Sequence, residues 1–369
     1  VNARIDQFRD QPPQDVCILR LSAIGDTCHA LPVVRTLQRA WPRARFTWVI
    51  GGVEASLMAG VDGVELVVLD KAAGARGFLE LRRRLAGRRF DLLLMMHASM
   101  RANLASLLVR ARMRLGFDRE RARECQWLFS NARIPARPRQ HVMDGLFGFA
   151  EAVGIGERVL RWDIPVAEGD RAFAARCIPD GRRALIISPC SSRRFRNYRN
   201  WRIENYAALA QHAARAHEAS VILTGGGTKL EAEYAAGICR LAEKSRPLNL
   251  VGRTTLKQLL ALLDRADVLV CPDSGPAHMA TAVDTPVIGL YATSNRLRTG
   301  PYRSQRWVVD RYPEAVRREF GGDADGLRWG TRVRDPGAMD LIKVEDVIAR
   351  LDELFATTRD PHVTADERR

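Results

Sequence analysis

Two widely separated stretches carry residue types that could do chemistry. In "LRLSAIGDTCHALPVV", residues 19–34, Asp26 follows Gly25 at the point where an apolar strand pattern gives way to a helix pattern. A carboxylate there has two uses. It can cap the helix by accepting from a free first-turn amide. At the carboxyl end of a strand it can also take a proton from an attacking hydroxyl, as a general base. It would not bind phosphate, because like charges repel. An anionic group would need a second place in the chain.

"VLVCPDSGPAHMATAVDTPVIGLY", residues 268–291, offers that place. It reads strand, turn, helix, strand, with Ser274, Gly275 and Pro276 opening the helix. Proline suits the first turn, where its missing amide costs nothing. The remaining exposed amides and the helix dipole favour an anion. Asp273 and His278 flank the turn. Each has a purely structural use, capping for the acid and a satisfied helix histidine for the imidazole, but the set is more specific than its parts.

Two loops lie at neighbouring strand ends. "SPCSSRRFRNYRNW" crowds Arg193, Arg194, Arg196 and Arg199, with Arg202 just beyond. A charge run is commonly a solvated face, yet a guanidinium here could neutralise a diphosphate leaving group. "LTGGGTKLE" brings Gly226 and Glu231 to the next strand end, and its glycines permit close backbone approach to a ligand. It matches neither the P-loop nor the dinucleotide fingerprint. Two decoys are set aside. Asp323-Ala324-Asp325 looks like a metal-binding acidic pair but sits in an irregular loop, and "RRRLAGRR" reads as the exposed side and end of a helix.

These residues need a scaffold with strand ends gathered along one edge, and the pattern supplies it. Strands are predicted at 16–21, 46–50, 64–69 and 91–96, alternating with helices at 29–40, 53–59, 78–85 and 101–110, and a helix at 142–153 closes the half. After a Pro-containing break around 163–181 the alternation restarts. Strands follow at 184–188, 220–224, 249–251, 267–271 and 286–291, with helices at 203–217, 229–241, 256–266 and 276–283. Such alternation predicts α/β architecture with parallel sheets. The expected domains are 1–165 and 166–340, then a closing C-terminal segment 341–357 with its helix over 344–355, and a polar tail, 358–369, expected to be disordered. The Gly- and Arg-rich segment 312–336 is expected to be loop. Ligands of open α/β sheets sit beyond the carboxyl ends of the strands, and two such domains could present those ends to one cleft.

Composition narrows the class. At 369 residues and 46% hydrophobic the chain can build two real cores. No apolar run reaches membrane-span length, and the polar N-terminus lacks a secretion-signal core, so a cytosolic location is expected. Seven scattered cysteines form no C-x-x-C pair, which argues for reduced thiols and against a zinc site. The net charge of +15 favours polyanionic partners, but arginine is spread along the whole chain and names none.

"ILRLSAIGDTCHALPVVRTLQRAWP" resembles the opening of the family 9 glycosyltransferases, the ADP-heptose:lipopolysaccharide heptosyltransferases. "MRLGFDRERARE", then "QHVMDGLFGFAEAVGI", is similar to the heptosyltransferase I pattern. "NLVGRTTLKQLLALLDRADVLVCPDSGPAHMATAVDTPVIGLYATSNRLRTGPY" is the most specific stretch. The resemblance covers residues 17–302 and implies a GT-B fold, two Rossmann-like α/β domains facing an interdomain cleft. It implies inversion at the sugar carbon and no metal or other cofactor. Asp26 then matches the general base. Asp273, Ser274, Gly275 and His278 match the donor-phosphate motif, with Arg199 and Gly226 on the donor side and Glu231 toward the nucleotide ribose. Arg101, His97 and His29 fall to the acceptor side. Arg199 stands where the family commonly has lysine, His97 where glutamine is common and Met95 where an acid is common.

The reaction so implied moves heptose from ADP-heptose to the Kdo region of a lipid A precursor. The enzyme would be a monomer, with peripheral contact to the anionic cytoplasmic face of the inner membrane. A family 9 enzyme with another nucleotide sugar or glycan acceptor would share every motif. A basic nucleic-acid-binding protein is the non-enzyme alternative, and no reader motif or aromatic platform supports it. Nucleic acid is therefore not an expected partner.

Overall fold

The computed structural model describes residues 7–8, 10–191 and 197–357. The chain divides after Pro165 into two compact units. Within the first unit the strands are β1 (Asp15–Leu19), β2 (Arg45–Gly51), β3 (Val64–Leu69), β4 (Phe90–Leu94), β5 (Ala111–Gly116) and β6 (Ala132–Arg133). Its helices are α1 (Ile24–Ala40), α2 (Gly52–Met58), α3 (Ala75–Arg84), α4 (Met100–Ser106) and α5 (Val142–Ala152). The second unit contains β7 (Ala184–Ile187), β8 (Ser220–Leu223), β9 (Leu248–Asn249), β10 (Val268–Pro272), β11 (Val287–Tyr291) and β12 (Val309–Asp310). Its helices are α6 (Glu168–Cys177), α7 (Ile203–His217), α8 (Lys229–Leu241), α9 (Leu256–Arg265), α10 (Gly275–Ala282), α11 (Arg296–Thr299), α12 (Tyr312–Phe320) and α13 (Val344–Thr357).

Each unit forms one six-stranded sheet, ordered β3-β2-β1-β4-β5-β6 and β12-β11-β10-β7-β8-β9. Every pairing is parallel. Counted from each unit's own first strand, both orders are 3-2-1-4-5-6, the doubly wound arrangement whose ligand crevice opens where the order reverses. That point lies between β1 and β4 in one unit and between β7 and β10 in the other. The central strands are buried on both faces, so they read as nearly continuous apolar runs such as "CIL" and "VLVC".

Three expectations change. Helix α1 begins at Ile24, five residues before the predicted start, so Asp26 sits inside the first turn and Ala23 is the N-cap. The span 101–110 ends as a helix at Ser106, and "ARMRLG" continues as β5. Its alternation of Met113 and Leu115 with arginines is a period-2 signal that the arginine content hides. Segment 312–336 is not all loop. Tyr312, Ala315 and Val316 of α12 are buried in the core, with Pro313 in its first turn and Gly321, at φ +72°, closing it. Proline at the start and glycine at the end are the usual boundary marks of a helix. The expected tail, 358–369, lies outside the described residues.

Helix α1 carries Pro32 in its interior. Proline has no amide to donate, so the carbonyl four residues earlier loses its helical partner. That carbonyl, of Cys28, accepts instead from the Trp162 indole at 2.8 Å. Residues before the unit boundary thus repair the helix that carries Asp26. Trp162→Phe removes the donor and leaves a buried carbonyl unmatched; urea unfolding should register a loss of about 1–3 kcal/mol, and unchanged stability would refute this role.

Candidate functional site

In the first unit Asp26 and His97, two of the candidate side chains, gather at the switch point. The Asp26 carboxylate, about one-third exposed, pairs with the Arg20 guanidinium. It also accepts from the Ala23 amide at 3.2 Å, holding the first turn of α1 closed. Arg20 is nearly buried, and through Nη1 it donates to the Met96 carbonyl just beyond β4. One guanidinium therefore ties the loop after β1 to the loop after β4. His97 follows Met96, and its Nδ1 accepts from the Leu21 amide at 3.2 Å. The ring proton is consequently on Nε2 when the ring is neutral. Burial, with Arg20 adding to it against the opposing pull of Asp26, lowers His97 from 6.5 to about 4. At neutral pH the ring is an uncharged donor.

The loop after β1 is braced from β2 and the segment beyond β3. Lys71 donates to the Leu21 carbonyl at 3.2 Å and to Glu54 at 2.9 Å. Gly51 lies so close that a Cβ there would come within 2.4 Å of the Leu21 carbonyl oxygen. His29, one turn along α1, is buried with its ring edge-on to His141 at 5.4 Å. Arg101 is exposed on α4, and the Met95 side chain is buried in the core.

The second unit repeats the device. Arg199, in the long loop after β7, donates from Nη1 to the Asp273 carbonyl beyond β10 at 2.8 Å and lies 3.2 Å from the Asp273 carboxylate. Both residues are largely buried, and Arg199 Nη2 has no hydrogen-bond partner among the described residues. Trp201 anchors the loop from below. Its indole donates to the Ile342 carbonyl at 2.9 Å, and it packs edge-on against Tyr206, whose hydroxyl donates to the Pro189 carbonyl. Arg193, Arg194 and Arg196 lie outside the described residues. Arg202 is engaged by the Asp340 carboxylate.

Ser274 is the N-cap of α10, but its hydroxyl donates back to the Pro272 carbonyl at 3.0 Å and does not cap the helix. The α10 N-cap therefore makes no side-chain cap bond, which leaves the helix start suited to an anion. His278 sits buried in the same helix. Thr299 donates to Asp273 at 3.3 Å.

Glu231 has a defined local task. Its carboxylate accepts from the Gly226 amide at 2.7 Å and from the Thr228 amide and hydroxyl at 2.9 and 2.6 Å. The acid and Thr228 form a reciprocal cap that closes the glycine loop at the start of α8. The glycines also serve another backbone. At Gly227, φ +80°, a Cβ would meet the Gly252 Cα at 2.8 Å. Two chain segments cross there with no room for a side chain, which is the first reason for glycine at that position.

Sequence reasoning passed over Arg20, Lys71, Glu54 and Gly252. Arg20 had a signal, a lone cation ending an apolar strand. The other three are brought in from separate segments and carry no local mark. All seven cysteines are free thiols. No helix among the described residues is long and apolar enough to cross a membrane.

Known proteins are similar to this chain in sequence and fold. Residues 78–320 match the family model described as Glycosyltransferase family 9 (heptosyltransferase). The lipopolysaccharide core heptosyltransferase OpsX of Haemophilus influenzae is 41% identical over 93% of this chain and 98% of its own length. Among solved structures, the family 9 glycosyltransferase of Veillonella parvula superposes with a TM-score of 0.75 at 20% identity, covering 93% of this chain and 97% of the other. Escherichia coli heptosyltransferase WaaC with ADP gives a TM-score of 0.69 at 20% identity, covering 92% and 99%.

The fold is therefore GT-B, two parallel α/β sheets of the sugar-nucleotide transferase type. The chain belongs to glycosyltransferase family 9 and is a glycosyltransferase.

The His97 environment has a measurable consequence. A histidine depressed in the folded state stays neutral where the unfolded chain already binds a proton. Its stabilising contribution is complete above pH 6.5 and declines as pH falls toward about 4. Unfolding free energies of wild type from denaturant titration should fall more steeply over that window than those of His97→Gln, by about 2–3 kcal/mol in total. Parallel curves would refute a neutral His97.

Proposed function

We propose that this enzyme transfers a heptose from ADP-heptose to the Kdo region of a lipopolysaccharide inner-core acceptor, with inversion and without a metal. The observation that carries the reading is the repeated arginine bridge. It leaves a partly exposed carboxylate at the ligand edge of the first unit and a buried guanidinium beside an uncapped helix start in the second. The name of the Haemophilus influenzae relative supports a lipopolysaccharide core product, and the ADP of the Escherichia coli structure supports the nucleotide.

In this reading the diphosphate lies at the Gly275 amide, with Arg199 Nη2 turned to it. Asp273, an acid that would repel a phosphate by itself, serves to aim and part-neutralise that guanidinium. The acceptor hydroxyl attacks the sugar C1 from the face opposite the phosphate. Its proton passes to Asp26 as the new C1–O bond forms, and the old C1–O bond breaks with its electron pair leaving on ADP. Arg199 and the helix start stabilise the charge that grows on the leaving phosphate, the work a metal would otherwise do. Arg20 pairs with Asp26 and keeps its carboxylate pointed. The neutral Nε2–H of His97 is a donor for an acceptor oxygen, and Arg101 suits the carboxylates of Kdo.

The acceptor is lipid-anchored, and the first unit has a face suited to a membrane. Met100, Leu104 and Leu107 fall on one stripe of α4 and its C-cap, each 43–60% exposed. Trp127 and Leu128 are exposed on a turn joined to that helix by Asn103, which donates to the Glu124 carbonyl at 2.8 Å. Exposed Arg101, Arg110, Arg112 and Arg123 flank the stripe. Apolar side chains rimmed by arginine are the pattern of an interfacial anchor on anionic lipid.

Two experiments follow. With ADP-heptose and Kdo-lipid A, ADP release should require the acceptor and survive EDTA, and the product should show the inverted anomer by NMR. Asp26→Asn should lower kcat by about 10²–10⁴-fold with donor KM little changed, and Arg199→Ala should raise donor KM. Full turnover in Asp26→Asn would return that residue to its helix-closing role. Separately, the protein should co-sediment with phosphatidylglycerol vesicles and less with phosphatidylcholine, and Leu104→Glu with Leu107→Glu should reduce that binding at least fivefold. Equal sedimentation would dismiss the membrane face.

A further inference from the structure

A cluster of metal-ligating side chains lies away from everything used above. His212 and His217 project from the last turns of α7, and Asp352 projects from α13, packed alongside it. Their Nε2 atoms lie 2.7 and 2.5 Å from the same Asp352 Oδ1. All three ligating atoms fall within 4.8 Å of one another. The rings meet edge-on at 5.6 Å, and the His217 ring also packs edge-on against Phe355 at 4.9 Å. The histidines are mostly buried, while the carboxylate is nearly half exposed.

The fold gives the cluster its place. Helix α7 runs back along the sheet from the carboxyl end of β7 to the start of β8, and His217 is its last residue. The cluster therefore lies at the sheet edge opposite Arg199, Ser274 and Gly226. A site there is structural and takes no part in sugar transfer.

We propose that His212, His217 and Asp352 bind one divalent transition metal of the zinc class, which clamps the C-terminal helix onto α7. Two imidazole nitrogens and one carboxylate oxygen suit zinc, cobalt or nickel and not calcium or magnesium, which take mostly oxygen. Bonds of about 2.0 Å in tetrahedral array set ligand atoms roughly 3.3 Å apart. The two histidine–carboxylate separations need to open by less than about 1 Å, which side-chain rotation at a partly exposed carboxylate supplies. Its open side leaves room for water as the fourth ligand. The helix so fastened carries Val347, Leu351, Leu354 and Phe355 into the core of the second unit, so metal binding adds to that unit's stability.

The test uses the full chain stripped with EDTA and dialysed. Cobalt should titrate to one equivalent with the visible bands of four- or five-coordinate metal, and zinc should displace it. Zinc should also raise the Tm by several degrees. Asp352→Asn and His212→Gln keep hydrogen-bonding side chains of the same size; both should lose at least tenfold in cobalt affinity and the zinc-dependent Tm rise. Circular dichroism checks that the metal-free variants are folded, and their ADP release should equal wild type. Absence of a saturable one-to-one cobalt band, or equal cobalt affinity and Tm rise in the folded variants, would overturn the proposal and leave a plain hydrogen-bonded His–Asp–His clamp.

Discussion

Each unit depends on one guanidinium that spans its switch point. Where the strand order reverses, the loops after the first and fourth strands leave in opposite directions. They expose main-chain carbonyls along a crevice, and an exposed carbonyl in a dry crevice needs a donor. Arg20 supplies it at Met96 and Arg199 at Asp273. An arginine can do this because its planar fork offers five donors, so one side chain can satisfy a carbonyl and hold a carboxylate together. In the first unit that carboxylate is the one-third-exposed Asp26; in the second it is the largely buried Asp273.

The two carboxylates differ in exposure. Asp26 is about one-third exposed and reachable from solvent, as the proposed proton transfer requires. Asp273 is nearly sealed against Arg199 and Thr299, as an acid beside the proposed phosphate site would need to be. In the proposed reaction the same pair of residue types serves proton transfer in one unit and anion binding in the other.

Support for these edges comes from unspecialised groups. Trp162 restores the hydrogen bond that Pro32 removes from α1, and Trp201 with Tyr206 pins the loop bearing Arg199. Glu231 and Thr228 close the glycine loop, which crosses the Gly252 backbone at a distance only glycine allows. These contacts are invisible in local patterning because their partners are many residues apart.

The residue order alone determined the alternating α/β elements, the break between the halves, the family motifs and the identity of Asp26, Arg199, Asp273, Ser274 and Gly275 as the residues to watch. Apolar periodicity and turn chemistry are local, so they survive in one dimension. Arginine-rich β5 and α12 escaped because composition masked their periods. Only the tertiary structure decided that Arg20 is the partner of Asp26, that Arg199 is held by Asp273, that Glu231 closes its own loop and that His97 is neutral. The physical reason is that charge pairing, burial and close backbone approach depend on which distant segments the parallel sheets bring to one edge.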